Sequence, residues 1–178
     1  MLQTLAAVPR SGRLMDFLER TYETFGPKLY HYLLGVLRSS ADAEDALQTV
    51  FVKLAQRDKG DDIEDLTSYL FAAARHEAIR LRDKRRSAKQ REEASQAGVE
   101  EPAPPPELLA ATEDREIERK RLEAAIAHLP EEQREVVLLK VWEGLTFREI
   151  ASVLGVPQDT AASRYRYALE KLKQELGD

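Results

Sequence analysis

The stretch Gly144–Leu176, GLTFREIASVLGVPQDTAASRYRYALEKLKQEL, decides how the chain is read. Leu145, Ile150, Ala151 and Leu154 recur near helical spacing, which predicts a first helix. Thr146 stands three residues before Glu149, the pattern of a capping box at a helix start. Gly155 ends that helix, because glycine enters the left-handed conformation without steric cost. Pro157 follows where a second helix would open. That second helix spans about Gln158 to Glu175 and carries Arg164, Arg166, Lys171 and Lys173. A small residue at the crossing (Ala151), a glycine turn and an outward-facing cationic second helix form the grammar of a DNA-binding helix-turn-helix. A bundle corner with solvated charges is the plainer reading of the same stretch. The spacing of Ala151, Gly155, Val156 and Pro157 before Thr160, Ser163 and Arg164 weighs against it.

The rest of the chain reads as all-α. Eight Gly and eight Pro in 178 residues are sparse, no strand-like alternation stands out, and 43% hydrophobic residues are enough for a core. No Cys is present, which excludes disulfides and thiolate metal sites, and His31, His76 and His128 lie far apart, so neither metal nor cofactor is expected. The first residues, MLQTLAAVPRSGR, do not read as a signal peptide, and no apolar run is long enough to span a bilayer. A cytoplasmic protein without membrane insertion is expected. The net charge of −5 runs against nucleic-acid binding, but its distribution matters more, since phosphate attraction is screened within about 10 Å.

Taken in order, Leu14, Phe17, Leu18, Tyr22 and Phe25 predict one helix, and Leu29, Tyr30, Leu33, Leu34 and Leu37 a second, with Gly26-Pro27 expected to break the chain between them. Ser39 or Ser40 caps the next helix, whose apolar face is Ala43, Ala46, Leu47, Val50, Phe51 and Leu54. Its polar face holds Asp42, Glu44, Asp45, Gln48 and Lys53, and taken alone it reads as an ordinary solvated face. After an acidic loop (Asp58–Asp65) comes a long helix that packs through Leu66, Tyr69, Leu70 and Ala73 and turns basic at its end. Eight cations fall within Arg75–Arg91, opposed only by Glu77 and Asp83, which exceeds what a helix end needs and points to phosphate binding. Tyr69 and Phe71 lie where they would pack or stack on bases. Glu92–Asp114 holds seven acids, four prolines and no Lys or Arg, the composition of a flexible acidic Pro-rich linker. Beyond it, Arg115–His128 and a helix opening at Pro130 complete a second module, with Trp142 in its core. The expectation is two small helical domains, 12–91 and 115–178, joined by linker 92–114.

At this point the residues resemble a known family. LPEEQREVVLLKVWEGLTFREIASVLGVPQDTAASRYRYALEKLK resembles region 4 of bacterial extracytoplasmic-function (ECF) sigma factors, and ADAEDALQTVFVKL with LTSYLFAAARHEAIRLRDKRR resembles their region 2. The two motif sets stand in the family's order and cover most of the chain. The resemblance implies a non-enzymatic subunit, monomeric when free, that binds core RNA polymerase and directs it to promoter DNA. Region 2 would dock on the polymerase clamp and read and melt the −10 element. Region 4 would read the −35 element, and the linker would pass toward the polymerase active site.

Carried over residue by residue, the resemblance implies a polymerase-binding set of Asp42, Glu44, Asp45 and Gln48. It implies a −10 set of Tyr69, Arg75, His76, Arg80, Arg82, Lys84, Arg85 and Arg86. It implies a −35 set of Gln158, Thr160, Ser163, Arg164, Arg166 and Lys171. An anti-sigma factor or other sequestering partner is implied as well. The chain departs from the family at His76, where Asn is usual, and at Glu77, where an apolar residue is usual. Asp159, Ala161 and Ala162 replace the common Gly, Val and Lys, a charge change that predicts weaker phosphate attraction at the −35 element. Two other readings stay open on the residues alone: a stand-alone helix-turn-helix regulator that needs no polymerase, and an interaction protein that binds polymerase without reading DNA.

Overall fold

The computed structural model describes residues 10–57, 63–92 and 113–177. The expected linker falls almost wholly on residues 93–112, outside the described residues, as do the first nine residues and most of the acidic loop. Seven α-helices are seen among the described residues: α1 (Arg10–Leu37), α2 (Ser40–Ala55), α3 (Leu66–Glu92), α4 (Glu113–His128), α5 (Glu131–Val137), α6 (Phe147–Leu154) and α7 (Gln158–Leu176). One π-helical turn, Leu138–Trp142, continues α5.

The helix starts follow local chemistry. Ser39 caps α2 by accepting from the Asp42 N–H. Thr146 and Glu149 form a complete capping box at α6, and Gly155 closes that helix at φ 66°. The α1–α2 corner is less usual, because Arg38 takes φ 56° without being glycine, a conformation that costs about 1–2 kcal/mol.

Gly26-Pro27 does not break the chain, contrary to expectation. α1 runs unbroken through Pro27. An interior proline costs about 3 kcal/mol through its missing N–H and ring clash. Burial of Leu29, Tyr32 and Leu33 in the following turns, at about 1.5–3 kcal/mol each, outweighs that cost.

α1, α2 and α3 pack together. α2 buries Ala43, Ala46, Leu47, Val50 and Leu54, as its periodicity predicts. α3 buries a face centred on Leu70, Phe71, Ala74, Ala78 and Leu81, rotated from the stripe read in the sequence. The rotation arises because α3 meets α1, α2 and α6 at once, so more than one of its faces is covered. Phe71 is fully buried, with its ring edge-on to Tyr32 at 5.7 Å, so it packs and is not available to bases.

The C-terminal helices form two surfaces. Ala125, Ile126, Leu129, Val137, Ala168 and Leu172 make a small core between α4, α5 and α7. Val136, Leu138, Leu139, Leu145, Ile150, Val153 and Leu154 instead join the α1–α3 core in one continuous cluster. Val136 to Leu139 are therefore buried in succession but divided between two cores. The π turn follows at this point, with the Glu143 N–H reaching the Leu138 carbonyl. Trp142 is half-buried against both clusters. At the seam, α1 comes so close that a Cβ on Gly35 would lie 3.0 Å from both Leu138 methyl carbons.

Because Phe71 is wholly enclosed, Phe71→Ala should lower stability by about 3–5 kcal/mol in urea unfolding. A loss below about 1 kcal/mol would contradict its place in the core.

Candidate functional site

The fold brings two helices of functional interest around α5. α3 supplies the basic run, α7 is the second helix of the helix-turn-helix, and α5 lies between them with Glu131, Glu132 and Glu135.

Glu135 is the most enclosed of these acids, at 3% exposure. Its carboxylate accepts from the Arg75 Nε–H and from the Tyr32 hydroxyl, each at 3.3 Å. Burial pushes the Glu135 carboxyl above its ordinary range, and the Arg75 guanidinium pulls the other way. Burial, then the nearby Glu135, pushes Tyr32 well above the ordinary phenol range. Four residues earlier on α5, Glu131 takes both terminal nitrogens of Arg82 in a bidentate pair. That pairing holds Glu131 below its ordinary range and raises Arg82. On the opposite side, Glu132 meets the Arg164 guanidinium of α7 at 2.7 Å.

Two further carboxylates engage the basic run from within the N-terminal helices. Glu77 accepts from Lys53 of α2 and from Arg80 Nε, the latter at 2.7 Å. Burial pushes its carboxyl up, but the two cationic donors outweigh burial and hold it below the ordinary range. Asp42 pairs with Arg85 at 2.6 Å, and Arg85 also donates to the Ser39 hydroxyl at 3.0 Å.

The expected −10 residues thus divide. Arg75, Arg80, Arg82 and Arg85 engage carboxylates of this chain. His76, Lys84 and Arg86 are exposed. Tyr69 is half-buried, with the Arg57 guanidinium 4.8 Å over its ring. The expected polymerase-binding set stays together on α2, with Glu44, Asp45 and Gln48 exposed and Asp42 half-buried. On α7, Gln158, Arg166 and Lys171 are exposed, while Thr160, Ser163 and Arg164 are half-buried. The Ser163 hydroxyl donates to the Thr160 carbonyl at 3.0 Å.

The sequence reading did not find Glu131, Glu132, Glu135 or Tyr32 as site residues. The signal was present as two acids four residues apart, which share a helix face, but acids beside Pro130 read equally well as first-turn dipole partners. Among the described residues, no group of three His, Asp or Glu is placed to hold a metal ion, and no helix is long and apolar enough to cross a membrane.

Comparison with known proteins follows the same division of the chain. A model of Sigma-70 region 2 matches residues 21–88, and one of Sigma-70 region 4 matches residues 119–172. The ECF RNA polymerase sigma factor SigL of Mycobacterium tuberculosis is 32% identical over 185 aligned positions, covering 99% of this chain and 98% of SigL. The ECF RNA polymerase sigma factor RpoE of Cereibacter sphaeroides is 31% identical, covering 87% of this chain and 83% of its own length. Among solved structures, the sigma factor RpoE of Bartonella quintana, in complex with the anti-sigma factor NepR, matches with a TM-score of 0.74 at 23% identity, over 90% of this chain and 96% of that one. CnrH in complex with the cytosolic domain of CnrY matches with a TM-score of 0.62 at 18% identity, over 91% and 88% of the two chains. These two structures share the fold.

Glu143, which follows the π turn, is 7% exposed, and its carboxyl is pushed up to about 7 by burial, with Lys28 of α1 pulling it down. The native state therefore holds this proton more tightly than the unfolded chain, where the ordinary value is 4.5. Stability from this group is present in full below about pH 4.5 and is lost as pH rises to about 7. Glu143→Gln should remove that slope and raise stability at pH 8 by about 1–3 kcal/mol, read by urea unfolding across pH. An unchanged pH profile would contradict the burial of a titrating carboxyl there.

Proposed function

This chain belongs to the ECF RNA polymerase sigma factors, and from that membership we propose which of its residues carry each step of initiation. As a sigma factor it binds core RNA polymerase and directs promoter-specific transcription initiation. The observation that carries the reading is the presence, in family order on one chain, of an acidic-faced helix, a basic helix and a helix-turn-helix, matched by the models of regions 2 and 4.

Residues 12–91 act as the polymerase and −10 module, 92–114 as the tether, and 115–178 as the −35 module. Asp42, Glu44, Asp45 and Gln48 dock on polymerase through the outer face of α2. Their exposure, apart from half-buried Asp42, supports that role. Arg75, Arg80, Arg82, Lys84, Arg85 and Arg86 meet the promoter backbone near the −10 element, with Tyr69 and His76 against unpaired bases. Gln158, Thr160, Ser163, Arg164, Arg166 and Lys171 meet the −35 element. Side chains on the first turns of α7 reach base edges in the major groove, and the later cations hold phosphates.

The bond-forming chemistry of transcription belongs to the polymerase, so this subunit is not an enzyme. It works in the cytoplasm, where polymerase and chromosome are. RpoE of Bartonella quintana was solved with the anti-sigma factor NepR and CnrH with the cytosolic domain of CnrY, and a sequestering partner of the anti-sigma kind is proposed for this chain as well.

Run-off transcription with purified core polymerase, on DNA from the chain's own upstream region, tests the reading. Specific initiation should depend on the protein. Arg164→Ala should lower it about tenfold or more, since a good base contact is worth about 1–3 kcal/mol. A protein that binds this DNA tightly alone, and neither binds nor activates core polymerase, would replace the reading with a stand-alone regulator.

A further inference from the structure

Glu77 is the most deeply buried charged side chain among the described residues, at 1% exposure, and its one carboxylate holds two cations. Oε1 accepts from the Lys53 ammonium of α2, and Oε2 accepts from the Arg80 Nε–H of α3 at 2.7 Å. The acid is enclosed but the cations are not, since their side chains are 54% and 55% exposed. The bond to Glu77 uses one donor of each, leaving Arg80 its two terminal nitrogens and Lys53 two further N–H groups. On α3, Arg80 lies one turn after exposed His76 and one turn before exposed Lys84, so the three share a ridge, and Lys53 meets it from α2. We propose that Glu77 is a positioning residue that holds Lys53 and Arg80 together as a two-cation clip for a backbone phosphate of the unpaired promoter strand. Lys53 thereby joins the nucleic-acid surface. The inference rests on the assignment of α3 to the −10 element.

A buried carboxylate is a costly way to join two helices. An apolar side chain would fill the space between α2 and α3 without desolvating a charge, and such exchanges are often neutral or stabilising. What the carboxylate does and an apolar residue would not is fix the ends of two long side chains. Those ends would otherwise move through many rotamers and repel each other. Engaging Arg80 through Nε leaves the fork of terminal nitrogens, the pair that takes a phosphate in two parallel bonds. The Lys53 ammonium adds a point charge beside it. One acid serves two cations, so the site stays net positive. Arg82 differs, because Glu131 takes both of its terminal nitrogens.

The test is binding of a fluorescein-labelled single DNA strand of about 20 nucleotides and mixed sequence to the full chain, followed by anisotropy across salt concentrations. K53M should weaken binding about three- to fivefold and flatten the slope of log affinity against log salt by about 0.7, one phosphate contact on a single strand. E77Q and E77M each remove a negative charge, so attraction by net charge alone predicts tighter binding. Positioning predicts the opposite. Both variants should bind about threefold more weakly, and K53M added to either should cost less than about twofold. E19Q, the same charge change at an exposed position of α1, should not weaken binding. E77M should keep a cooperative urea transition with a midpoint near that of the unmodified chain.

Unchanged or tighter binding by the Glu77 variants would overturn the positioning role, as would a K53M effect that persists in full in their background. A K53M chain that binds the strand normally would overturn the clip. Loss of the cooperative transition in both Glu77 variants would overturn the proposal as well, by making the carboxylate a structural anchor. Failure of the sigma-factor reading shows separately, as absence of polymerase-dependent transcription, and leaves the strand measurement standing.

Discussion

The structure depends on where α5 is held. The helix has seven residues, too few to be stable alone, so its position comes from packing. Val137 faces the small core with α4 and α7, while Val136, Leu138 and Leu139 face the core of α1–α3. Burying apolar residues toward two cores places the helix at the seam, and its acids then lie between two cationic helices. Glu135 pays the desolvation cost of that position and is compensated by Arg75 and Tyr32. A buried pair of this kind adds little to stability over an apolar equivalent, but loss of one partner is costly. Its effect is to specify which surface of α5 meets which surface of α3.

The charge balance of the chain follows from the same arrangement. A net charge of −5 is unusual for a subunit that reads DNA. The cations are concentrated on α3 and α7, and carboxylates from α2, α3 and α5 engage many of them within the fold. His76, Lys84 and Arg86 are exposed, whereas Arg75, Arg82 and Arg164 are engaged by carboxylates of α5.

Much of the fold was legible in the sequence because it is set by local rules. The capping box at Thr146 and Glu149, the left-handed Gly155 and the apolar face of α2 need only neighbouring residues and stand as read, and of the two serines read as the α2 cap it is Ser39 that fills it. Where a tertiary contact overrode a local signal, the reading missed. Pro27 looks like a break but lies inside α1, because the residues after it are enclosed by the core. The buried face of α3 is rotated because α6, distant in sequence, packs on it. The family resemblance singled out the acidic helix α2 and the basic helix α3, but the ion pairs joining Arg75 to Glu135 and Arg82 to Glu131 span 60 and 49 residues, beyond any periodicity argument. The π turn likewise has no local signature, since it arises where Val136–Leu139 are shared between two cores.

The most direct measurement is small-angle X-ray scattering of the unmodified free chain. The shared core predicts a single-body distance distribution, with a radius of gyration near the roughly 16 Å expected for a compact chain of this length. Two resolved maxima in that distribution, from separate modules, would contradict the shared core on which the account rests.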